Sequence, residues 1–301
     1  MRFSIITTAC LAGMAAFASL RSRPAVAIDE HAGHAEHAAA TTGISLSRQD
    51  VSIPASNATA AERLAKSPRH GEWVSIKVGP TDSLTAWVVY PERRDKAPVV
   101  LVIHDNRGIT SWSRSVAHQL AADGFIGIAV DLLTMRRTGN LNSEWAVDSV
   151  RAVLNTLTPD EINRSLDAAA KYGISLPSAL PRYGVVGFCW GGGRSFLHAT
   201  TAPTLGASVV YYGSPPTVEQ MAAIKAPVLG LYGGNDARIT ATVPATDSAM
   251  KRLGKSYEYQ VFEGAGHGFL SGQEGGDGAN MTASRQAWPR TVAFFRAKLG
   301  K

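Results

Sequence analysis

Residues 183–193 read Tyr-Gly-Val-Val-Gly-Phe-Cys-Trp-Gly-Gly-Gly. Tyr183–Phe188 is the short apolar run of a buried strand, and a helical pattern over Arg194–Thr200 follows the glycines. The pattern Gly-x-Cys-x-Gly, centred on Cys189, therefore falls at a strand-to-helix junction and matches a nucleophile elbow with sulfur in place of the usual hydroxyl. Gly187 and Gly191 fit such a turn, because a Cβ two residues either side of the nucleophile would collide with neighbouring backbone. Cys189 is expected to hold a strained backbone that lifts its side chain clear of the sheet. The amino end of the next helix stabilises a thiolate there by roughly 0.3–1 kcal/mol. The plain alternative is a buried apolar Cys beside a glycine-rich helix start.

Working outward, candidate strands lie at Trp73–Val78, Leu84–Tyr90, Val99–His104, Phe125–Val130, Ala207–Tyr212, Val228–Tyr232 and Tyr257–Phe262. Runs such as Val99-Val100-Leu101-Val102-Ile103 have the continuous apolar character of strands covered on both faces. Helical patterns intervene at Ser113–Ala122, Pro159–Tyr172, Pro244–Leu253 and Ser284–Leu299. The helix at Pro159 carries its own start signal: Thr158 as cap, Pro159 in the first turn and Glu161 three residues after the cap. A short helix over Ala60–Lys66, capped by Asn57, precedes the first strand. This alternation predicts an α/β fold, a mostly parallel sheet of eight strands, or seven, with helices on both faces. No internal repeat and no second domain is visible.

In such sheets ligands sit beyond the carboxyl ends of the strands. Two further strand ends carry chemistry. Gly233-Gly234-Asn235-Asp236 follows Val228–Tyr232, and Gly264-Ala265-Gly266-His267-Gly268-Phe269 follows Tyr257–Phe262. Nucleophile, acid and histidine in that chain order is the arrangement of α/β-hydrolases. The imidazole of His267 can take the thiol proton and deliver it to a leaving oxygen, while the Asp236 carboxylate fixes its tautomer. Each residue alone has a bland reading, since Asp is a turn former and a His between glycines is a loop residue.

On these three motifs, the stretch from about Glu72 to Leu299 resembles the dienelactone hydrolase family. The resemblance implies hydrolysis of cyclic enol esters and related carboxylic esters through an acyl-thiol intermediate on Cys189. It implies a Cys-His-Asp triad, a small-molecule ester or lactone as partner, no cofactor and no metal. After Val99–Ile103 comes His104-Asp105-Asn106-Arg107-Gly108, where the family builds half of its oxyanion hole. The backbone N–H groups of Asn106 and Trp190 are the expected donors. The family also places there a Glu that contacts the resting thiol. This chain has Asp105, one methylene shorter, which is read either as that contact or as a turn former. The family's archetype grips a substrate carboxylate with arginines, one of them four residues after the catalytic histidine, where this chain has Ser271. Arg136, Arg137 and Arg151, in the segment before the capped helix, are candidates for that work, or are solvated. Trp112, Trp190 and Phe269 are candidate apolar walls, with core packing the alternative for at least one of them.

Length and composition agree with one enzyme-sized core. The 301 residues are 45% hydrophobic and 18% charged, with 29 Gly and 15 Pro, which excludes coiled coils, collagen-like chains and wholly disordered proteins. A mean hydropathy of −0.03 excludes a polytopic membrane protein. The net charge is +6, of which Arg2, Arg21 and Arg23 supply half, and no basic run of five appears elsewhere, so nucleic acid is not an expected partner. The start reads as an export signal: Arg2, the uncharged stretch Phe3–Leu20, and Ala25-Val26-Ala27 as a cleavage site leaving Ile28 first. Without a twin-Arg pair this predicts general secretion to the periplasm or medium, an uncleaved anchor being the alternative. Cys10 would leave with residues 1–27, so the mature chain keeps Cys189 alone and forms no internal disulfide.

Residues 28–56 read as a flexible Ala- and His-rich leader, and residues 57–301 as the hydrolase domain. His31, His34 and His37 are spaced to line one helix face and catch a metal, against a solvated tail. Two rival functions stay open at this point: a catalytically silent ligand-binding protein on the same shell, and a metal-handling protein using that leader. Substrate and oligomeric state are not legible.

Overall fold

A computed structural model describes residues 50–136 and 146–300. The expected signal at 1–27, the histidines of the leader and Arg137 lie outside the described residues. Within them, eight strands form one sheet: β1 (Gly71–Lys77), β2 (Ser83–Val89), β3 (Ala97–Ile103), β4 (Ile126–Asp131), β5 (Ala179–Phe188), β6 (Ala207–Tyr211), β7 (Val228–Gly233) and β8 (Tyr257–Phe262). Their order is β1-β2-β4-β3-β5-β6-β7-β8. β1 and β2 pair antiparallel, as do β2 and β4, and every later pairing is parallel. This is the α/β-hydrolase fold expected from the alternation of elements.

The apolar runs are continuous because alternate residues enter different cores. Val99, Leu101 and Ile103 of β3 join one cluster, Val100 and Val102 the other. The first is closed by α4 (Pro159–Ser175), α5 (Trp190–Thr201) and α8 (Val243–Arg252), through Leu166, Phe196 and Met250 among others. The second is closed by α2 (Ser111–Ala122) and α9 (Ala279–Leu299), through Val116, Leu120, Trp288 and Phe295. Burying one Leu or Phe side chain in this way stabilises by roughly 1.5–3 kcal/mol. The start of α4 is built as its sequence indicated: Thr158 Oγ1 accepts from the Glu161 N–H at 3.2 Å, and the Glu161 carboxylate accepts from the Thr158 N–H at 2.9 Å.

Three short helices escape the sequence reading: α3 (Val147–Leu154), α6 (Val218–Met221) and α7 (Ala237–Thr240). The four residues of α6 and of α7 carry too little periodicity to register. At the amino end two expectations are corrected. The leader does not extend to residue 56, because Ile53, Ala55 and Ser56 are buried and Asp50 pairs with Arg285 of α9 at 2.9 Å. The helix α1 (Ala60–Ala65) has Thr59 rather than Asn57 at its cap position, while the Asn57 N–H donates to the Ser271 carbonyl at 2.8 Å.

Candidate active site

The elbow forms because nothing larger than glycine fits around it. A Cβ on Gly187 would lie 1.9 Å from the Gly191 carbonyl oxygen, and one on Gly191 would lie 2.3 Å from that of His104. Between them Cys189 sits at φ 55° and ψ −115°, a conformation that costs on the order of 1–3 kcal/mol and persists only because its surroundings enforce it. Its N–H is pinned to the Tyr211 carbonyl at 3.1 Å. The thiol is half-buried at the head of α5 and lines a cavity of about 610 Å³, as a nucleophile must and a core cysteine does not.

The neighbouring strand ends deliver the partners. Asp236, 7% exposed after β7, accepts a hydrogen bond from His267 Nδ1 at 2.5 Å. His267, after β8, lines the same cavity as Cys189. Cys189 is the first cause of a histidine pKa pushed up to about 9. Burial works against it, and the Asp236 hydrogen bond and both negative charges reinforce it. The imidazole is therefore held protonated through neutral pH. Asn106, after β3, and Trp190, first residue of α5, also line the cavity. As the first residue of a helix, Trp190 offers an N–H with no intrahelical acceptor.

The other expected residues divide. Arg151 on α3 lines the cavity, with Asp148 at 3.7 Å as an exposed partner. Arg136 is paired with Glu161 at 2.5 Å at the head of α4 and lies outside the cavity lining. Trp112 and Phe269 are not walls: both are core, Trp112 edge-on to Phe188 at 4.8 Å and Phe269 packed on Tyr212 at 5.3 Å. Ser271 is buried in its own turn, its hydroxyl donating to the Gly268 carbonyl. Asp105, expected against the thiol, is instead gripped by Arg107, whose N–H, Nε and Nη2 all donate to its carboxylate. A basic residue two positions on closes that loop locally.

Sequence reading missed three cavity residues, Arg194, Arg238 and Tyr212. Arg194, one turn into α5, lies 5.0 Å above the Trp190 ring, which is itself stacked on His104. Burial alone lowers its pKa, and no carboxylate among the described residues pairs with it. Arg238 stands two residues after Asp236. Both follow candidate site residues on the next helix, and that position was the available signal. With Arg151 they give the cavity three guanidinium groups, and no Asp or Glu is among the described residues lining it.

Comparison with known proteins agrees with this geometry. The model of the dienelactone hydrolase family matches residues 84–299. The chain belongs to the dienelactone hydrolase family. Over 267 residues it is 30% identical to a Salmonella typhimurium protein named as a carboxymethylenebutenolidase, covering 82% of this chain and 97% of that one. A Bradyrhizobium protein named as a 2-oxo-3-(5-oxofuran-2-ylidene)propanoate lactonase is 28% identical, covering 75% and 93%. The crystal structure of a dienelactone hydrolase from Anabaena variabilis superposes with a TM-score of 0.58 at 22% identity, over 77% of this chain and all of that one, a likeness of fold. This dienelactone hydrolase family member is thus a hydrolase of the lactone and ester class.

Proposed function

We propose that the chain opens carboxylate-bearing lactones or esters through a thioester on Cys189. The observation that carries this reading is a half-buried thiol sharing one cavity with a histidine that Asp236 orients. The imidazole can take the proton of the sulfur as it attacks, giving the nucleophilic thiolate and an imidazolium. The sulfur attacks the carbonyl carbon, and the developing oxyanion is received by the N–H groups of Asn106 and Trp190. As the carbon–oxygen bond of the ester breaks, His267 passes its proton to the departing oxygen. The neutral imidazole then takes a proton from water, whose oxygen attacks the thioester, and the thiolate leaves as the new carboxylic acid forms.

The substrate's charge is read from the cavity and supported by relatives whose names both describe carboxylate-bearing lactones. Arg194 is the favoured clamp, since a half-buried cation without a counter-charge is stabilised by any carboxylate that enters. A single experiment tests both parts. Wild-type turnover of a carboxylate-bearing lactone should be abolished by iodoacetamide. Replacing Arg194→Met should lower kcat/KM for that lactone about tenfold or more while leaving a neutral lactone within twofold, the range for a hydrogen bond to a charged group. Turnover that survives alkylation would remove the thiol from the mechanism, and equal losses on both lactones would remove Arg194 as the clamp.

A further inference from the structure

Tyr212 follows β6 directly, and because Phe188 pairs with Tyr211 across the β5–β6 ladder, it stands beside Cys189. Its backbone is in the left-handed region at φ 40°, where a bulky residue is an outlier, and its N–H is fixed to the Leu231 carbonyl at 2.9 Å. The ring is 1% exposed and packs 5.1 Å from the imidazole of His267 and 5.3 Å from Phe269. Its neighbour Tyr211 is equally buried but bonds Thr291 Oγ1 at 2.8 Å. Among the described residues the Tyr212 hydroxyl has no hydrogen-bond partner, although the residue lines the cavity.

A strained backbone and an unsatisfied buried hydroxyl each cost stability, and together in one residue beside a nucleophile they mark a group held ready for something that arrives. We propose that the Tyr212 hydroxyl touches the substrate, donating a hydrogen bond to an oxygen of the scissile ester bound at Cys189. This rests on the thiol-hydrolase reading. The phenol remains a donor throughout the working pH range, because burial first, and then the nearby Asp105 carboxylate, hold its pKa well above the ordinary tyrosine value, against the opposing charge of Arg107.

The experiment compares wild type with Tyr212→Phe, which removes one oxygen and keeps the packed ring. Three quantities are read: kcat/KM on a lactone that the wild type hydrolyses, the rate of Cys189 alkylation by iodoacetamide, and the thermal midpoint. The expected result is a 10- to 100-fold loss of kcat/KM, an alkylation rate within twofold of wild type, and a midpoint equal or higher, since an unsatisfied hydroxyl has gone. A kcat/KM within twofold of wild type overturns the proposal. So does a loss matched by an equal fall in alkylation rate or accompanied by a lowered midpoint, either of which assigns Tyr212 to supporting the thiol or the fold. A wild type that hydrolyses no lactone, or does so after alkylation, defeats the thiol-hydrolase reading and is distinguishable from all of these.

Discussion

Replacing Cys189 by Ala is expected to lower lactone turnover by roughly four to six powers of ten, the range seen when a triad nucleophile is removed. The size follows from the architecture. The elbow presents one atom, Sγ, to both the His267 imidazole and the cavity. The hydroxyl-bearing residues of the lining, Tyr212, Ser214 and Thr217, have no hydrogen bond to that imidazole among the described contacts. Residual activity should come from the oxyanion donors and binding alone, which survive the change. Because Ala loses one sulfur from a half-buried position, the fold should persist, and the test is kcat measured on protein with an unchanged circular dichroism spectrum. A variant retaining a tenth of wild-type turnover would exclude the acyl-thiol route.

The second large effect is expected from Asp236→Asn. An amide in that place can offer its NH2 to His267 Nδ1, fixing the wrong tautomer, and analogous changes cost about 10⁴ in kcat. The variant also carries a signature in pH. The wild-type histidine is raised from 6.5 to about 9, first by Cys189 and further by the Asp236 hydrogen bond and charge, with burial opposing. Since the proposed active form has a protonated imidazole, wild-type activity should hold below about 9 and fall above it. Removing the Asp236 contributions lowers the histidine pKa, so the alkaline fall should move toward 6.5 in the variant. A pH–rate profile showing an unmoved or rising alkaline limb would contradict the assignment of Asp236.

Cys189 and Asp236 were legible as candidates because they follow β5 and β7, whose buried ends read as unbroken apolar runs, and His267 because it follows the alternating edge strand β8. The glycines at 187 and 191 were legible for a steric reason that the structure quantifies at 1.9 and 2.3 Å. What failed was the direction of side chains near those motifs. Trp112 and Phe269 sit close in sequence to site residues, yet each points into the seam between sheet and helix, because an aromatic ring gains more from full burial than from a half-wet wall. Asp105 was read either against the thiol or as a turn former, and Arg107, on the same loop, holds both carboxylate oxygens. Arg194 and Arg238 were missed because the search for a cationic clamp began in the segment before α4, while the cations that reach the cavity also ride on the helices that follow Cys189 and Asp236.

The acid-free lining has one more effect, felt after the chemistry is over. Opening a lactone releases a carboxyl group that ionises at neutral pH, so the product leaves with one more negative charge than the substrate brought. Three guanidinium groups that draw an anion in will also slow the exit of a dianion. Dissolved ions weaken that grip by shortening the reach of surface charge to about 8 Å at physiological strength. Inhibition by accumulated product should therefore relax as salt is added, and inhibition insensitive to salt would show that the cationic rim takes no part in release.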